Sequence, residues 1–222
     1  MPHRTRNLIL AAGVLGVLAL LARPLAAAEL TEGKDYRTLT PPQPGGNPGK
    51  IEVIEFFSYG CPHCSEFYPL VSAWVARLPK DVAFKRVAVG FGRPAWVNLA
   101  RAYYALESTG DLAKLDGAVF HAIHAEHQPL FDEESIARWV GAHGGNAAQF
   151  ANAYTSFSVN NETYQADEMA ETYRVEAIPT LAVNGKYVVI GNSFAELLDH
   201  ADKLIARVRA ESPGGAAAAK TR

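Results

Sequence analysis

The sequence is poor in cysteine: it has two in 222 residues, Cys61 and Cys64. An exported domain stabilised by disulfides would usually carry more cysteines and close longer loops. A bond between these two would close a very short loop and add little stability. A structural zinc site needs about four ligands, and no second cysteine pair supplies them. The pair therefore indicates thiol reactivity rather than a stabilising bridge or a metal site.

The sequence also lacks an excess of positive charge, with 21 Lys and Arg against 23 Asp and Glu. Without a basic stripe to neutralise phosphates, we expect no nucleic-acid partner. Hydrophobic residues make up 49% of the chain and charged residues 20%, which is an ordinary globular composition. The length suits one domain, or one domain that carries an insertion.

Long apolar runs are absent except at the N-terminus. Residues 8–22 are apolar or glycine, follow Arg4 and Arg6, and precede the small residues 26–28. This order is typical of a signal peptide, with Glu29 as the first mature residue. The alternative is an uncleaved membrane anchor. Fifteen helical residues would span roughly 22 Å, short of a hydrocarbon core of about 30 Å, so we favour cleavage.

The periodicity of the mature sequence predicts an α/β fold. Residues 51–57 and 82–89 are apolar enough for buried strands. Between them, apolar residues recur at three- and four-residue steps over 62–78, with Leu70 in the stripe, and predict a helix. Strand, helix and strand in this order are expected to begin a parallel sheet. Additional elements are predicted as an edge strand at 36–39, a hairpin at 180–190 around Asn184 and Gly185, and helices from 161 and from 193.

A helical insertion is predicted within this fold, because residues 94–158 show four helical stripes and no strand. Phe157 is assigned to the apolar stripe of the fourth helix. The predicted organisation is a signal peptide (1–28), a first part of the α/β domain (29–93), the helical insertion (94–158), a second part of the α/β domain (159–212) and a flexible tail (213–222).

The two cysteines lie where a buried strand becomes a helix. Cys61 is predicted at the helix N-cap and Pro62 at the first helical position, where proline lacks only an N–H that has no partner. The free backbone N–H groups and the helix dipole favour a thiolate, and His63 adds a nearby donor or cation. These effects lower the pKa of Cys61 and make it the attacking sulfur. Cys64, one turn further, is predicted to be shielded and to resolve or re-form the bond.

Three segments together resemble the DsbA-type thiol:disulfide interchange proteins of the thioredoxin superfamily: residues 55–64, residues 177–180 and residues 183–187. The resemblance covers essentially the whole mature chain. It implies a thioredoxin-like fold with an inserted helical domain and a redox-active Cys61–Cys64 disulfide, with no other cofactor and no metal. It also implies a periplasmic location.

The resemblance also assigns residues around the cysteines. It implies that Pro179 follows a cis peptide bond and packs against the disulfide, where an ordinary trans proline is the alternative. It implies that Ile178 and Thr180 contact an extended substrate peptide, the backbone of Ile178 pairing with it as an added strand. These are expectations of the family rather than consequences of the composition.

A buried acid beneath the active site is the family feature that maps onto Glu55. A carboxyl there would have a raised pKa and could manage the proton of Cys64. The alternative is a solvent-facing glutamate on a strand. The family also has a basic partner on the second strand, and either Lys85 or Arg86 can fill that role.

The function implied is oxidation of thiols in unfolded exported proteins, with reoxidation by a DsbB-type quinone-linked membrane protein. We expect a monomer, because no dimerisation element is evident. Two alternatives stay open: a disulfide isomerase or reductase, and a redox-silent peptide-binding module. His121, His124 and His127 recur at three-residue steps, but we interpret them as a solvated helical face rather than a metal site.

Overall fold

The computed structural model describes residues 29–45 and 49–211. The predicted signal peptide (1–28) and the tail beyond 212 therefore lie outside the described residues. The described residues from Thr31 onward form one compact unit. Within the described residues, no helix is long and apolar enough to cross a membrane.

The described residues form five strands and seven helices. The strands are β1 (Tyr36–Thr38), β2 (Ile51–Phe57), β3 (Val82–Ala88), β4 (Thr180–Val183) and β5 (Tyr187–Val189). The helices are α1 (Pro62–Val75), α2 (Pro94–Thr109), α3 (Leu112–His124), α4 (Glu133–Ala142), α5 (Ala147–Tyr154), α6 (Phe157–Thr172) and α7 (Phe194–Glu211). The predicted α/β fold is confirmed.

The strands form one mixed sheet in the order β1-β5-β4-β2-β3. The β2 and β3 strands are parallel, as expected for a strand–helix–strand unit, and β4 pairs with β2 in the antiparallel sense. In this register, Glu55 lies opposite Arg86 on one side and Leu181 on the other. All seven residues of β2 are buried, which explains why that strand reads as a nearly continuous apolar run.

Helices α2 to α6 fill the interval between β3 and β4 without a strand. Their caps are visible in the sequence: Asp132 accepts from the backbone of Ser135, and Asn146 accepts from the backbone of Gln149. The exact borders of the insertion, at 94 and 158, remain a prediction.

The prediction of buried apolar stripes is wrong for two residues, Phe157 and Leu70. Phe157 is 88% exposed, because α5 ends at Tyr154 and the Ser156 hydroxyl caps a new helix that begins at Phe157. Leu70 is 47% exposed, because the buried stripe of α1 is narrower than predicted. That stripe consists of Cys64, Phe67, Val71 and Trp74.

Candidate active site

Cys61 follows the carboxyl end of β2 and lies at the start of α1. Cys61 has extended backbone angles (φ −92°, ψ 118°) and Pro62 is the first residue of the helix, as predicted. The backbone N–H groups of Cys64 and His63 stabilise the Cys61 thiolate and help to lower its pKa, after the hydrogen bond from Cys64. The sulfur therefore occupies the place of a capping side chain, where an anion is stabilised by groups that otherwise lack partners.

Cys61 and Cys64 are both buried and both present as free thiols. A hydrogen bond from Cys64, then the two backbone N–H groups and the charge of His63, lower the pKa of Cys61 from 9.0 to about 6 against the opposing effect of burial. Burial, followed by its interaction with Cys61, raises the pKa of Cys64. The pair therefore contains one acidic thiol and one thiol that holds its proton.

The Ile178–Pro179 peptide bond is cis, as the resemblance implied. The carbonyl oxygen of Ile178 lies 3.7 Å from the Cys61 sulfur, so this loop borders the attacking thiol. Thr180 turns its hydroxyl back to donate to the carbonyl of Ala177 at 2.6 Å. We call Cys61, His63, Ile178 and Pro179 the outer side of the site.

His63 is the most exposed member of the outer side, with 73% of its side chain accessible. Its ring nitrogen Nδ1 lies 3.3 Å from the Glu66 carboxylate one turn further along α1. The charge of the imidazole lowers the pKa of Cys61 less than the hydrogen bond from Cys64 and the backbone N–H groups do. His63 therefore assists the thiolate less than the helix start does.

Glu55 lies on β2 and is 0% exposed, which excludes the alternative of a solvent-facing strand glutamate. Burial raises its pKa, and the charge and hydrogen bond of Arg86 lower it only in part. The Glu55 charge in turn contributes to the raised pKa of Cys64, so the two groups are electrostatically linked. This position suits a group that exchanges a proton with Cys64.

The basic partner of Glu55 is Arg86. Its Nε donates to Oε2 of Glu55 at 2.8 Å, whereas Lys85 has an exposed side chain. The Arg86 guanidinium also lies 3.6 Å from the centre of the Phe57 ring. The structure thus makes the choice between Lys85 and Arg86 that the sequence left open.

Asp116, in α3 of the helical insertion, was missed by sequence reasoning. Its Oδ2 accepts from Arg86 Nη1 at 2.6 Å, and its Oδ1 accepts from the Tyr59 hydroxyl at 2.6 Å. One signal was available: Asp116 lies one helical turn from apolar Leu112 and one turn from buried Phe120, so it interrupts an apolar face. We call Cys64, Glu55, Arg86 and Asp116 the inner side of the site.

The histidine prediction is wrong for His124. Its Nε2 lies 2.7 Å from the carbonyl oxygen of Tyr59, to which it donates, while His121 and His127 are exposed. Tyr59 precedes Cys61 by two residues. Helix α3 therefore holds the active-site loop through two contacts with Tyr59: His124 binds its carbonyl and Asp116 binds its hydroxyl. A three-residue histidine spacing cannot reveal which ring finds a partner in a distant loop.

Gly60 completes the loop before Cys61. A Cβ atom at this position would lie 2.6 Å from Nε1 of Trp96 and 3.2 Å from a methyl carbon of Leu99. Glycine is therefore required here by the close approach of α2 rather than by a special backbone angle. The inserted helices α2 and α3 both pack directly against the segment that carries the cysteines.

Residues 52–201, more than half of the chain, match the model of the DSBA-like thioredoxin domain. The chain belongs to the DsbA family. It is 40% identical over 208 residues to the thiol:disulfide interchange protein DsbA of Pseudomonas aeruginosa, covering 92% of this chain and 98% of that protein. It is 36% identical over 213 residues to DsbA of Bordetella pertussis, covering 94% of this chain and all of that protein.

Solved structures of DsbA proteins share this fold. The crystal structure of Pseudomonas aeruginosa DsbA aligns with a TM-score of 0.78 at 38% identity, over 82% of this chain and 96% of that one. The oxidoreductase DsbA from Xylella fastidiosa aligns with a TM-score of 0.77 at 34% identity, over 82% and 98%. The predicted thioredoxin-like fold with a helical insertion is thereby confirmed.

Proposed function

We propose that this DsbA-family protein oxidises pairs of thiols in unfolded exported polypeptides by donating its Cys61–Cys64 disulfide. The observation that carries the proposal is the division of the pair into an acidic outer thiol and a proton-holding inner thiol. A thiolate is the nucleophile and the better leaving group in thiol–disulfide exchange, so the two positions suit different steps.

In the first step, a substrate thiolate attacks the sulfur of Cys61. The Cys61–Cys64 bond breaks, its electron pair passes to the Cys64 sulfur, and the Glu55 carboxyl supplies the proton that this sulfur takes up. The raised pKa of Cys64 supports this proton transfer, because a buried thiolate there would be costly.

In the second step, another substrate thiolate attacks the substrate sulfur that is bonded to Cys61. The substrate disulfide forms, and Cys61 departs as a thiolate held by the helix start. The substrate loses two electrons, which remain on the reduced Cys61–Cys64 pair. Stabilising the Cys61 thiolate favours the reduced form, and this makes the closed disulfide an oxidant.

The substrate peptide is proposed to lie along the outer side, with Ile178 and Thr180 as its backbone contacts. The short distance between the Ile178 carbonyl and the Cys61 sulfur supports this arrangement. Two assignments follow the family: reoxidation by a DsbB-type quinone-linked membrane protein, and no cofactor or metal beyond the disulfide. Two others rest on the sequence: a periplasmic location after removal of residues 1–28, which the family also implies, and a monomeric state.

The test is oxidation of a reduced peptide that contains two cysteines, followed by mass spectrometry. The oxidised wild type should form the peptide disulfide in stoichiometric amount without added oxidant. The Cys64→Ser variant, first activated as a mixed disulfide at Cys61 with a small thiol, should pass that bond to the peptide. Peptide oxidation by Cys61→Ser would contradict the proposal, and repair of scrambled disulfides without oxidant would favour the isomerase alternative.

A further inference from the structure

Arg86 forms ion pairs with two carboxylates, those of Glu55 and Asp116. Arg86 donates from Nε to Glu55 at 2.8 Å and from Nη1 to Asp116 at 2.6 Å. The three side chains are 0%, 10% and 15% exposed for Glu55, Arg86 and Asp116 respectively. The inner side thus contains one permanent cation and two acids in a poorly solvated space.

Such a group is costly when both acids are ionised, since the surplus negative charge has little water to stabilise it. One proton bound by the cluster relieves this cost. The proton goes to the acid whose ionised form has fewer hydrogen bonds and less solvent.

The hydrogen bonds of the two acids are unequal. Both oxygens of Asp116 have donors, Arg86 Nη1 on one and the Tyr59 hydroxyl on the other. Glu55 has Arg86 Nε on Oε2, while its Oε1 has no hydrogen-bond partner among the described residues. Geometry therefore directs the proton to Glu55, on the oxygen that no other group occupies.

Within the part of the chain that the structure describes, Arg86 is the cation whose charge acts on Glu55. The titratable groups around this cluster are Arg86 from β3, Asp116 from α3, Cys64 and Tyr68 from α1, Tyr103 from α2 and Tyr59 from the preceding loop. The tyrosines are neutral donors near neutral pH, so the competition for Arg86 is between the two carboxylates.

We propose that Asp116 is a positioning residue of the redox site, which engages Arg86 so that Glu55 can carry the proton that Cys64 takes up. This inference rests on the proposed function, because it assigns a partner to the proton step of that reaction. It also gives the helical insertion a role in the chemistry: α3 supplies the charge that sets the state of an acid on β2.

The test is infrared difference spectroscopy of the oxidised protein without substrate, comparing wild type with Glu55→Gln over a range of pH. A protonated carboxyl has a carbonyl band that an ionised carboxylate lacks. At pH values well above the ordinary glutamate pKa of about 4.3, the wild type should still show such a band, and Glu55→Gln should lack it. Absence of that band would overturn the proposal whatever the variants do.

The deciding variant is Asp116→Asn, which leaves the Arg86 charge to Glu55 alone. The pH at which the Glu55 band is half lost should fall by about one to three units. Asp116→Glu, which keeps the charge, should restore it toward the wild-type value. An unchanged midpoint in a folded Asp116→Asn protein would contradict the proposal.

Two further variants protect this conclusion. Glu134→Gln removes one acid from an exposed arginine pair in the same insertion, Glu134–Arg138, and should leave the midpoint where it is. Tyr59→Phe removes one donor from Asp116 but keeps its contact with Arg86, and should lower the midpoint by less than Asp116→Asn does. If Asp116→Asn does not fold, an unmoved midpoint in Tyr59→Phe overturns the proposal.

The role of Asp116 and the oxidation of dithiols can be disproved independently of each other. An unmoved midpoint in a protein that still oxidises the dithiol peptide would remove the role of Asp116 and leave the function intact. A wild-type protein that fails to oxidise the peptide would remove the proposed function, while the band of Glu55 would still report the charge balance of the inner side.

Discussion

The outer and inner sides of the active site surround two chemically identical thiols with opposite environments. At Cys61, a hydrogen bond from Cys64 and then the backbone N–H groups at the helix start favour the anion. At Cys64, burial and the negative charges of its neighbours favour the neutral thiol. One helical turn separates the two residues, so the difference arises from what each sulfur faces rather than from its place in the chain.

The two sides of the site also differ in the kinds of groups that act on the thiols. The outer side depends on a hydrogen bond from Cys64 and on backbone N–H groups, and the backbone groups cannot be altered by substitution without changing the fold. The inner side depends on side chains from β2, β3 and α3, which can be replaced one at a time. We therefore expect a substitution on the inner side to lower stability more than a substitution on the outer side does. Replacing an outer side chain such as His63 should change the pKa of Cys61 only slightly.

The largest effect is expected from Arg86→Met. It leaves Glu55 and Asp116 without their shared cation, and loss of one partner from a buried ionic cluster costs about 3–5 kcal/mol. The matched control is Arg138→Met, whose exposed pair with Glu134 should contribute less than about 1 kcal/mol. Urea unfolding followed by tryptophan fluorescence measures both. Equal losses for the two variants would show that the inner cluster has no special role.

Alkylation of the reduced protein should distinguish the two thiols directly. At about pH 7, a Cys61 pKa of about 6 leaves that thiol about 90% ionised, whereas Cys64, with its pKa raised above 9.0, is at most about 1% ionised. Cys61 should therefore react with iodoacetamide roughly a hundredfold faster than Cys64. Peptide mapping after short exposure measures the selectivity. Comparable labelling of both cysteines in the folded protein would contradict the division of the site into two sides.

The stability of the reduced protein should depend on pH through Cys61. Its pKa is about 6 in the folded state, against 9.0 for an ordinary cysteine. A depressed pKa contributes stability that is complete above the unfolded pKa and is lost as the pH falls through the folded pKa. Between about pH 8 and about pH 5, we expect the reduced protein to lose on the order of 1 kcal/mol relative to the oxidised one, allowing for solvent screening.

Denaturant unfolding of both redox forms at several pH values measures this difference. The oxidised protein is the internal control, because its sulfurs carry no titratable proton. Reduced Cys61→Ala should lose the effect as well. Reduced and oxidised curves that stay parallel across the whole range would mean that Cys61 is not ionised in the folded state.

The smallest effect is expected from His63→Ala on the outer side. The side chain is largely exposed and its charge acts after the backbone and Cys64, so the pKa of Cys61 should rise by about one unit or less. Thiolate absorbance as a function of pH measures the shift. A return of the pKa to the ordinary value of 9.0 would show that the imidazole, rather than Cys64 and the helix start, is the main cause of the lowered pKa of Cys61.

The outer side could be predicted from the sequence because its parts are local. Cys61, Pro62 and Cys64 lie within one turn of a helix, and proline at the first helical position fixes where that helix begins. The cis bond before Pro179 and the acid at Glu55 came from the family resemblance, which maps motifs onto positions. The structure agrees with the cis bond and with the burial of Glu55.

The inner side could be predicted only in part, because it joins residues that are far apart in the chain. Lys85 and Arg86 are adjacent on β3, and only the register with β2 and the packing of α3 select Arg86. Asp116 belongs to a different helix, and nothing in the local periodicity identifies its partner. His124 was missed for the same reason, since its acceptor is a backbone carbonyl that carries no signal in the sequence.

The central claim is that the reduced protein holds an ionised Cys61 and a protonated Cys64 at neutral pH. A redox titration of the Glu55→Gln variant against glutathione from about pH 5 to about pH 8 tests it. The slope of the potential counts the protons taken up with two electrons, and residue 55 contributes none in this variant. The slope should change near pH 6, from about 59 mV per unit below it to about 30 mV per unit above it. A slope of about 59 mV per unit throughout would mean that both thiols stay protonated, and would contradict the claim.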